Sequence, residues 1–462
     1  MNGIERFVRT SLKKIAAEKN LDRAIHLSRF LGEVLWKNST SYYQLVELER
    51  ELVERIESKV PIVEGSHRCC YGHVLTKAYD TGGHTRVVER LITSNALQDS
   101  AVLVLDAATG PAQERLSRAR HGCTVMSSMG PGLNRISALV AEFIRFETII
   151  LYLHPHDIES VVAAGIASRR KGTKILFYNH ADHVFSYGYG VADRVLEISH
   201  FGWALRDARG CLDRSVFAGI PLELPSKRRF RASTSDRQQG SIVAAGTAYK
   251  FKPVMGWSFP DFVRAICLRT NSRVEVVGPS FWRDWWWWPI MYSQRGRFAV
   301  HARLEHKKYL EFMESASAYV DSFPIVGGTA FAEVMGQGIP CFGVLTGSHG
   351  YSPADLVKSA SVDELISDLL NFEMTGVKAG PDESSVFEQV RKIHDVEEVA
   401  LRVAGAFSKD RVGIGPPWPC EGKIDTEYFK KMWMESFFPI VPVHVLPPFE
   451  LILAFVLIKK RS

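Results

Sequence analysis

Asp321-Ser-Phe-Pro-Ile-Val-Gly-Gly-Thr-Ala-Phe-Ala-Glu-Val-Met-Gly-Gln-Gly-Ile-Pro340 lies between two apolar runs, Ser317–Val320 before it and Cys341–Leu345 after it. The order reads as strand, Gly-rich turn, helix and strand. Such a turn aims backbone N–H groups and a helix N-terminus at one point, which suits an anion such as a diphosphate. Gly327, Gly328 and Thr329 are the candidate donors. Glu333, one turn into the helix, is placed to accept hydrogen bonds from sugar hydroxyls. Phosphate donors followed by a carboxylate outline a nucleotide-sugar site. A plain βα connection has the same outline, so the stretch needs support from the rest of the chain.

Working outward, short apolar runs alternate with longer amphipathic ones. Expected strands are Gly72–Lys77, Ala101–Asp106, Thr148–Leu153, Lys174–Tyr178 and Arg194–Ile198 in a first series. Ser241–Ala245, Val274–Val277, Phe298–His301, Ala318–Asp321 and Cys341–Leu345 form a second. Helices are expected at Thr85–Ala96, Ile158–Arg170, Pro260–Arg269 and Lys307–Ser315. This is the pattern of parallel sheets with crossover helices. The polar stretch Pro225–Gly240 separates the series and is the expected linker. The expected organisation is an α/β chain with a helical extension (1–62), an N-terminal Rossmann-like domain (63–228), a C-terminal Rossmann-like domain (236–400) and a C-terminal extension with an apolar tail (401–462). Two such domains place a ligand in the cleft they face, outside the carboxyl ends of the strands.

The loops at those strand ends carry the polar residues. Asp80-Thr81-Gly82-Gly83-His84-Thr85-Arg86 follows the first strand and opens a helix. Gly82 and Gly83 let a bound group approach the backbone, and the helix start favours negative charge. His84 has a side-chain pKa suited to proton transfer near neutrality. His154-Pro155-His156-Asp157 and Asn179-His180-Ala181-Asp182-His183 end the third and fourth strands. Histidines at three strand ends of one sheet point to a site, with a metal centre as the rival reading. In the second series, Ser241–Ala245 runs into Tyr249-Lys250-Phe251-Lys252-Pro253. A lysine there faces the same region as the Gly327–Thr329 turn and can neutralise a leaving diphosphate without a metal. No Asp-x-Asp motif stands in a suitable loop.

Composition limits the other classes. The 462 residues are 46% apolar, enough for two cores. Seven cysteines form neither a metal-ligand spacing nor a disulfide framework, which fits a reducing cytoplasm. A net charge of +6 does not call for nucleic acid. No secretory signal is read at the N-terminus. There Ile4, Phe7, Val8, Leu12, Ile15 and Ala16 fall at helical spacing, with Arg6, Arg9, Lys13 and Lys14 on the other face. Such a helix lies on a membrane surface or packs on the protein body. The stretch Ser436–Ile458 is interrupted by prolines and Glu450, and neither of its pieces reaches the roughly 20 apolar residues of a spanning helix. Phe281-Trp282-Arg283-Asp284-Trp285-Trp286-Trp287-Trp288-Pro289 is a dense aromatic run. Indoles favour membrane interfaces and stack on sugars, so attachment to the inner face of the cytoplasmic membrane is one expectation. Burial against the tail is the other.

The residues together resemble GT-B glycosyltransferases, most closely the O-linked N-acetylglucosamine transferase family and its bacterial relatives, over roughly residues 66–400. Tyr249-Lys250-Phe251-Lys252-Pro253 is similar to that family's Tyr-Lys-x-x-Pro. Asp321, Pro324, Gly327, Thr329, Glu333, Gly338 and Pro340 are similar to its Asp-x-x-Pro…Gly-x-Thr turn with the acidic residue and Gly-x-Pro that follow. Gly82-Gly83-His84-Thr85-Arg86 resembles the Gly-Gly-x-x-Arg turn of many such transferases, which carries Gly82, Gly83 and Arg86 over as donor-binding candidates. The resemblance implies two Rossmann-like domains facing a cleft, with Tyr249, Lys250 and the Gly328–Ala330 backbone on a diphosphate and Glu333 on a ribose. It implies transfer of a sugar from a UDP-sugar to a glycan, lipid-linked or protein acceptor, with no cofactor and no metal. His84 is the expected base, with His180 and Asp182 as further candidates. No tetratricopeptide array precedes the matching part. The paired-glutamate motif of many retaining enzymes also fails, because Ile325 stands eight positions before Glu333. Inversion at the anomeric carbon is therefore expected. A UDP-sugar epimerase and a catalytically silent scaffold are the alternatives.

Overall fold

The computed structural model describes residues 3–38, 40–62, 69–80, 83–126, 130–229, 240–304, 306–420 and 424–436. The chain divides into two compact units. Unit 1 is built from Met1–Pro221 with Val399–Pro416, and unit 2 from Leu222–Glu398 with Pro417–Phe438.

Unit 1 contains β1 (Cys69–Ala78), β2 (Ser100–Ala108), β3 (Cys123–Val125), β4 (Phe146–Tyr152), β5 (Lys174–Tyr178), β6 (Arg194–Glu197) and β7 (Ser215–Phe217). They form one parallel sheet in the order β3-β2-β1-β4-β5-β6-β7. Ile149, Ile150 and Leu151 are all fully buried, so β4 is covered on both faces, as a central parallel strand must be. The order reverses between β1 and β4, where two neighbouring strand ends open a crevice for a ligand. Short β3 and β7 lie at the edges and carry too few apolar residues to announce themselves.

The helix Ile158–Lys171 follows β4. Asp157 Oδ1 accepts from Ser160 N (3.2 Å) and caps its start, Arg169–Lys171 complement the dipole at its end, and Gly172 stops it at φ +70°. Helices Gly3–Ala17, Leu21–Trp36 and Val46–Glu57 share one hydrophobic core with this helix and the sheet. Val46–Glu57 crosses Ile158–Lys171 so closely that a Cβ added at Gly165 would stand 2.7 Å from Val53 Cγ2 and 2.9 Å from Val191 Cγ1. Ile4, Phe7, Val8 and Ile15 are buried in this core while Arg6, Arg9, Lys13 and Lys14 are exposed. The apolar face of the first helix is thus spent on packing, which removes it as a membrane-binding face. Asp22 Oδ1 also accepts the Leu133 N–H (2.7 Å) and Glu159 Oε1 the Gly132 N–H (2.7 Å), so the helix Leu133–Phe143 is capped from outside.

Unit 2 contains β8 (Ser241–Ala245), β9 (Val274–Gly278), β10 (Phe298–Ala302), β11 (Ala316–Val320) and β12 (Cys341–Phe342). The parallel order β10-β9-β8-β11-β12 again reverses, here between β8 and β11. Helix Phe259–Arg269 and Phe251, Trp287, Phe298 and Phe323 fill its core. No described helix is long and apolar enough to cross a membrane. The tail beyond residue 436 lies outside the described residues.

Candidate functional site

At the unit 1 reversal, three imidazoles meet. His84 sits in the first turn of helix Gly83–Leu91, directly after β1. Its ring lies 5.5 Å from that of His180, nearly parallel at 25°, and 6.0 Å from that of His154 at a steep angle. Tyr79 closes one side against His84 (5.8 Å), and His156 continues the row to Trp36 (5.7 Å), which the second helix supplies. The loop bearing His154 is held by Thr76 of β1, whose Oγ1 accepts the His154 N–H (3.0 Å) and donates to Asp157 Oδ2 (2.6 Å). Nothing in the sequence near residue 84 announces Trp36.

His84 Nε2 donates to the Lys77 carbonyl at 2.9 Å, because a carbonyl can only accept. That fixes the tautomer and leaves Nδ1 with its lone pair. Burial pushes the His84 pKa down, and the Lys77 bond offsets part of the shift. Burial, then the neighbouring imidazoles, push His154 and His180 down to about 3. All three rings are therefore neutral at pH 7, the state a proton acceptor needs. His180 Nδ1 is buried with no partner among the described residues. No group of three or more His, Cys, Asp or Glu among the described residues is arranged to hold a metal ion.

The other unit 1 candidates differ. Gly82 lies outside the described residues. Gly83 has open space where a Cβ would sit, so a ligand can reach its backbone. Arg86 faces Glu89 on its own helix at 3.7 Å, while Arg115 holds that same carboxylate at 2.8 Å, which leaves Arg86 loosely held. Asp182 is fully buried. Ser199 Oγ donates to its Oδ2, His183 Nδ1 lies 3.0 Å from its Oδ1, and Arg209 binds its carbonyl at 2.6 Å. With both oxygens taken, Asp182 ties the β5 loop to the Ser199 helix start. The expectation that it serves as a base is corrected on that ground.

In unit 2 the loops after β8 and β11, the strands flanking the reversal, touch. Lys250 is half-buried on a single 3-10 turn, Ala248–Phe251, and its Nζ donates to the Val326 carbonyl at 2.9 Å. Ile325 N points back at the Lys250 carbonyl (3.4 Å). Burial lowers the Lys250 pKa, Asp321 raises it and Lys358 lowers it again. Tyr249 packs edge-on against Trp433 at 5.3 Å.

The Gly-rich loop is rigidly cross-tied. Asp321 Oδ1 accepts from Ser322 N (2.9 Å) and Gly327 N (3.0 Å), and its Oδ2 takes Lys358 Nζ at 2.8 Å. Lys358, buried, also reaches Asp355 Oδ1 at 2.7 Å. Burial alone pushes the Lys358 pKa down, but the two carboxylates outweigh it and raise it. Ser348 Oγ accepts Val326 N (3.0 Å) and, with Thr346, donates to Pro324 O. Glu333 N closes on Thr329 O, so the amides just before it have no partner within the helix. A Cβ at Gly328 would meet the Tyr351 ring at 3.5 Å, an ordinary contact distance. Tyr309 carries a buried hydroxyl with no partner among the described residues, within electrostatic reach of Glu333 and Asp321. Neither Lys358 nor Tyr309 has a local sequence signal. A cleft of about 530 Å³ in unit 1, lined by Glu54, Glu57, Ile62 and Arg170, lies toward the amino ends of the strands and holds none of this chemistry.

Known structures share this architecture. The lipopolysaccharide outer core galactosyltransferase WaaB in its apo form superposes with a TM-score of 0.50 at 13% identity, over 73% of this chain and 98% of its own. HepE from Anabaena in complex with UDP gives 0.52 at 12% identity, over 72% and 98%. A glycosyltransferase from Rickettsia africae gives 0.52 at 9% identity, over 73% and 98%. No protein-family model matches the chain, and no curated protein matches it in sequence.

Proposed function

We propose that this chain, which has the GT-B glycosyltransferase fold, moves a hexosyl group from a UDP-sugar to an acceptor hydroxyl with inversion and without a metal ion. The observation that carries the reading is Lys250 seated on the Gly-rich loop at the reversal of the second sheet. A cation beside backbone donors suits a diphosphate that gains charge as it leaves. Lys250 and the amides around Gly328 and Thr329 would hold the diphosphate. Glu333 would accept from the ribose, and the Tyr309 hydroxyl would gain a partner in the bound nucleotide. HepE, a protein of the same fold, binds UDP, so UDP is the first nucleotide to try.

The acceptor oxygen would attack the anomeric carbon as the bond from that carbon to the diphosphate oxygen breaks. Its proton would pass to His84 Nδ1, the nitrogen the Lys77 contact leaves open. The electron pair would leave with UDP, where the Lys250 ammonium balances it. His180, stacked on His84, would hold the imidazole in place. The acceptor class is a glycan, a lipid-linked glycan or a protein.

The test is calorimetric titration of UDP, GDP and CMP into the wild type and Lys250→Ala, with and without chelator. Saturable UDP binding that chelator does not touch, weakened about tenfold to a hundredfold by the substitution, supports the reading. Binding unchanged in Lys250→Ala removes that residue from the site. No nucleotide binding at all would favour a silent scaffold. Interconversion of UDP-sugars without acceptor would favour an epimerase.

A further inference from the structure

The aromatic run after β9 divides into an inward and an outward set. Trp287 is fully buried in the unit 2 core beside Phe251, Phe259 and Phe298. It roots the segment. Asp284 fixes the turn by accepting Ser280 N at 2.5 Å, and Trp288 Nε1 donates to the Phe281 carbonyl at 2.8 Å. On this rigid base Trp282 is 80% exposed, Trp285 65% and Tyr292 77%, with Phe281 and Trp288 also in solvent. Apolar rings held outward by a fixed backbone contribute little to folding and form a preorganised contact patch.

The surrounding charge says what the patch meets. Within the segment 281–297, Arg283 and Arg295 are exposed and Asp284 is the single acid, whereas Arg297 is turned onto the Thr270 carbonyl at 2.9 Å. That acid is turned in on Ser280, and Arg295 lies over the Tyr292 ring at 5.3 Å. With that carboxylate spent, the charge left outward beside the rings is cationic. Indoles flanked by guanidinium groups suit a bilayer surface, with rings at the headgroup level and cations on anionic lipid.

We infer that the exposed aromatic segment Phe281–Tyr292, through Trp282, Trp285 and Tyr292, docks unit 2 onto an anionic membrane surface. The inference does not rest on the nucleotide reading, because binding is measured without nucleotide or turnover.

The experiment is co-sedimentation of the full chain with phosphatidylglycerol–phosphatidylcholine vesicles and with phosphatidylcholine vesicles. The expected result is binding to the anionic vesicles alone, weakened by salt. The combined variant Trp282→Ser, Trp285→Ser, Tyr292→Ser should lose about tenfold or more of this partitioning with an unchanged melting midpoint. If it does not fold, Arg283→Ala and Arg295→Ala serve instead, each costing about fivefold. Absence of binding by the wild type, or full binding by the folded aromatic variant, overturns the proposal. So does a patch whose loss abolishes self-association or glycan binding and leaves vesicle binding intact.

Discussion

Replacing Lys358 by Met should destabilise unit 2 more than any other single cation change. The ammonium touches Asp321 at 2.8 Å and Asp355 at 2.7 Å, and the lysine and Asp321 side chains are each 1% exposed. At an effective dielectric constant of about 20, each contact is worth roughly 6 kcal/mol of attraction. Much of that is offset by desolvation, and the measured cost of breaking such a buried pair is about 3–5 kcal/mol. The loss arises because two carboxylates remain inside without a counter-charge. The assay is urea denaturation followed by a signal from unit 2, since two units need not melt together. Combining Lys358→Met with Asp321→Asn removes one stranded charge and should recover about 1–3 kcal/mol relative to Lys358→Met alone. UDP affinity should fall in Lys358→Met as well, because Asp321 also holds the Gly327 amide. A loss under about 1 kcal/mol, with no recovery in the double variant, would refute the claim that this triad organises the loop.

Other predictions follow from single contacts. His84→Ala should lower kcat by about 10²–10⁴-fold with little change in UDP affinity; equal losses in steady-state turnover and in calorimetric affinity would make it a binding residue. Gly165→Ala should cost about 1–3 kcal/mol in chemical denaturation, since the new methyl meets Val53 and Val191 below contact distance; an unchanged midpoint would mean that the helices shift freely. Stability should fall as pH drops below about 6.5. His73, His154 and His180 are held to about 3 in the fold, so the unfolded chain binds more protons, at about 1.4 kcal/mol per pH unit for each. Glu49 and Glu197, raised by burial to about 8 and about 7, have the opposite slope from about pH 4.3 upward. With three histidines set against two glutamates, the net acid loss from pH 6.5 to 5.5 is about 0.5–1.5 kcal/mol, and urea midpoints that rise as the pH falls across that range would contradict the histidine placement.

Much of the two-sheet plan is legible in the sequence because parallel strands buried on both faces leave continuous apolar runs, as at Thr148–Leu153 and Lys174–Tyr178. Edge strands such as Cys123–Val125 leave no such run. The Cys341–Leu345 run forms a two-residue strand, since Gly343 breaks away toward Lys358. Local spacing marks His84, Lys250 and the Gly327–Thr329 turn, because each sits next to a strand end. It cannot mark Lys358, which meets Asp321 only through tertiary folding of a polar loop. The same limit applies to Asp182, whose motif position does not reveal that Ser199 and His183 occupy it. Trp287 and its neighbours form a tight 3-10 turn, so helical or strand periodicity could not say which indoles turn inward.

Among the described residues, unit 1 is drawn from two separate stretches of the chain, and this has a consequence during synthesis. The helix Val46–Glu57 emerges from the ribosome well before its packing partner Ile158–Lys171. At about 5–20 residues per second, the leading helices wait roughly 6–23 seconds with their apolar faces uncovered. The wait is longer for Val399–Pro416, which returns to unit 1 only after most of unit 2 has been made. Phe407 from this returning segment receives Lys174 and Arg194, and Arg402 binds the Ala218 carbonyl. A nascent chain stopped near residue 221 would hold every strand of the first sheet and still lack those contacts, which makes it a natural client for a chaperone.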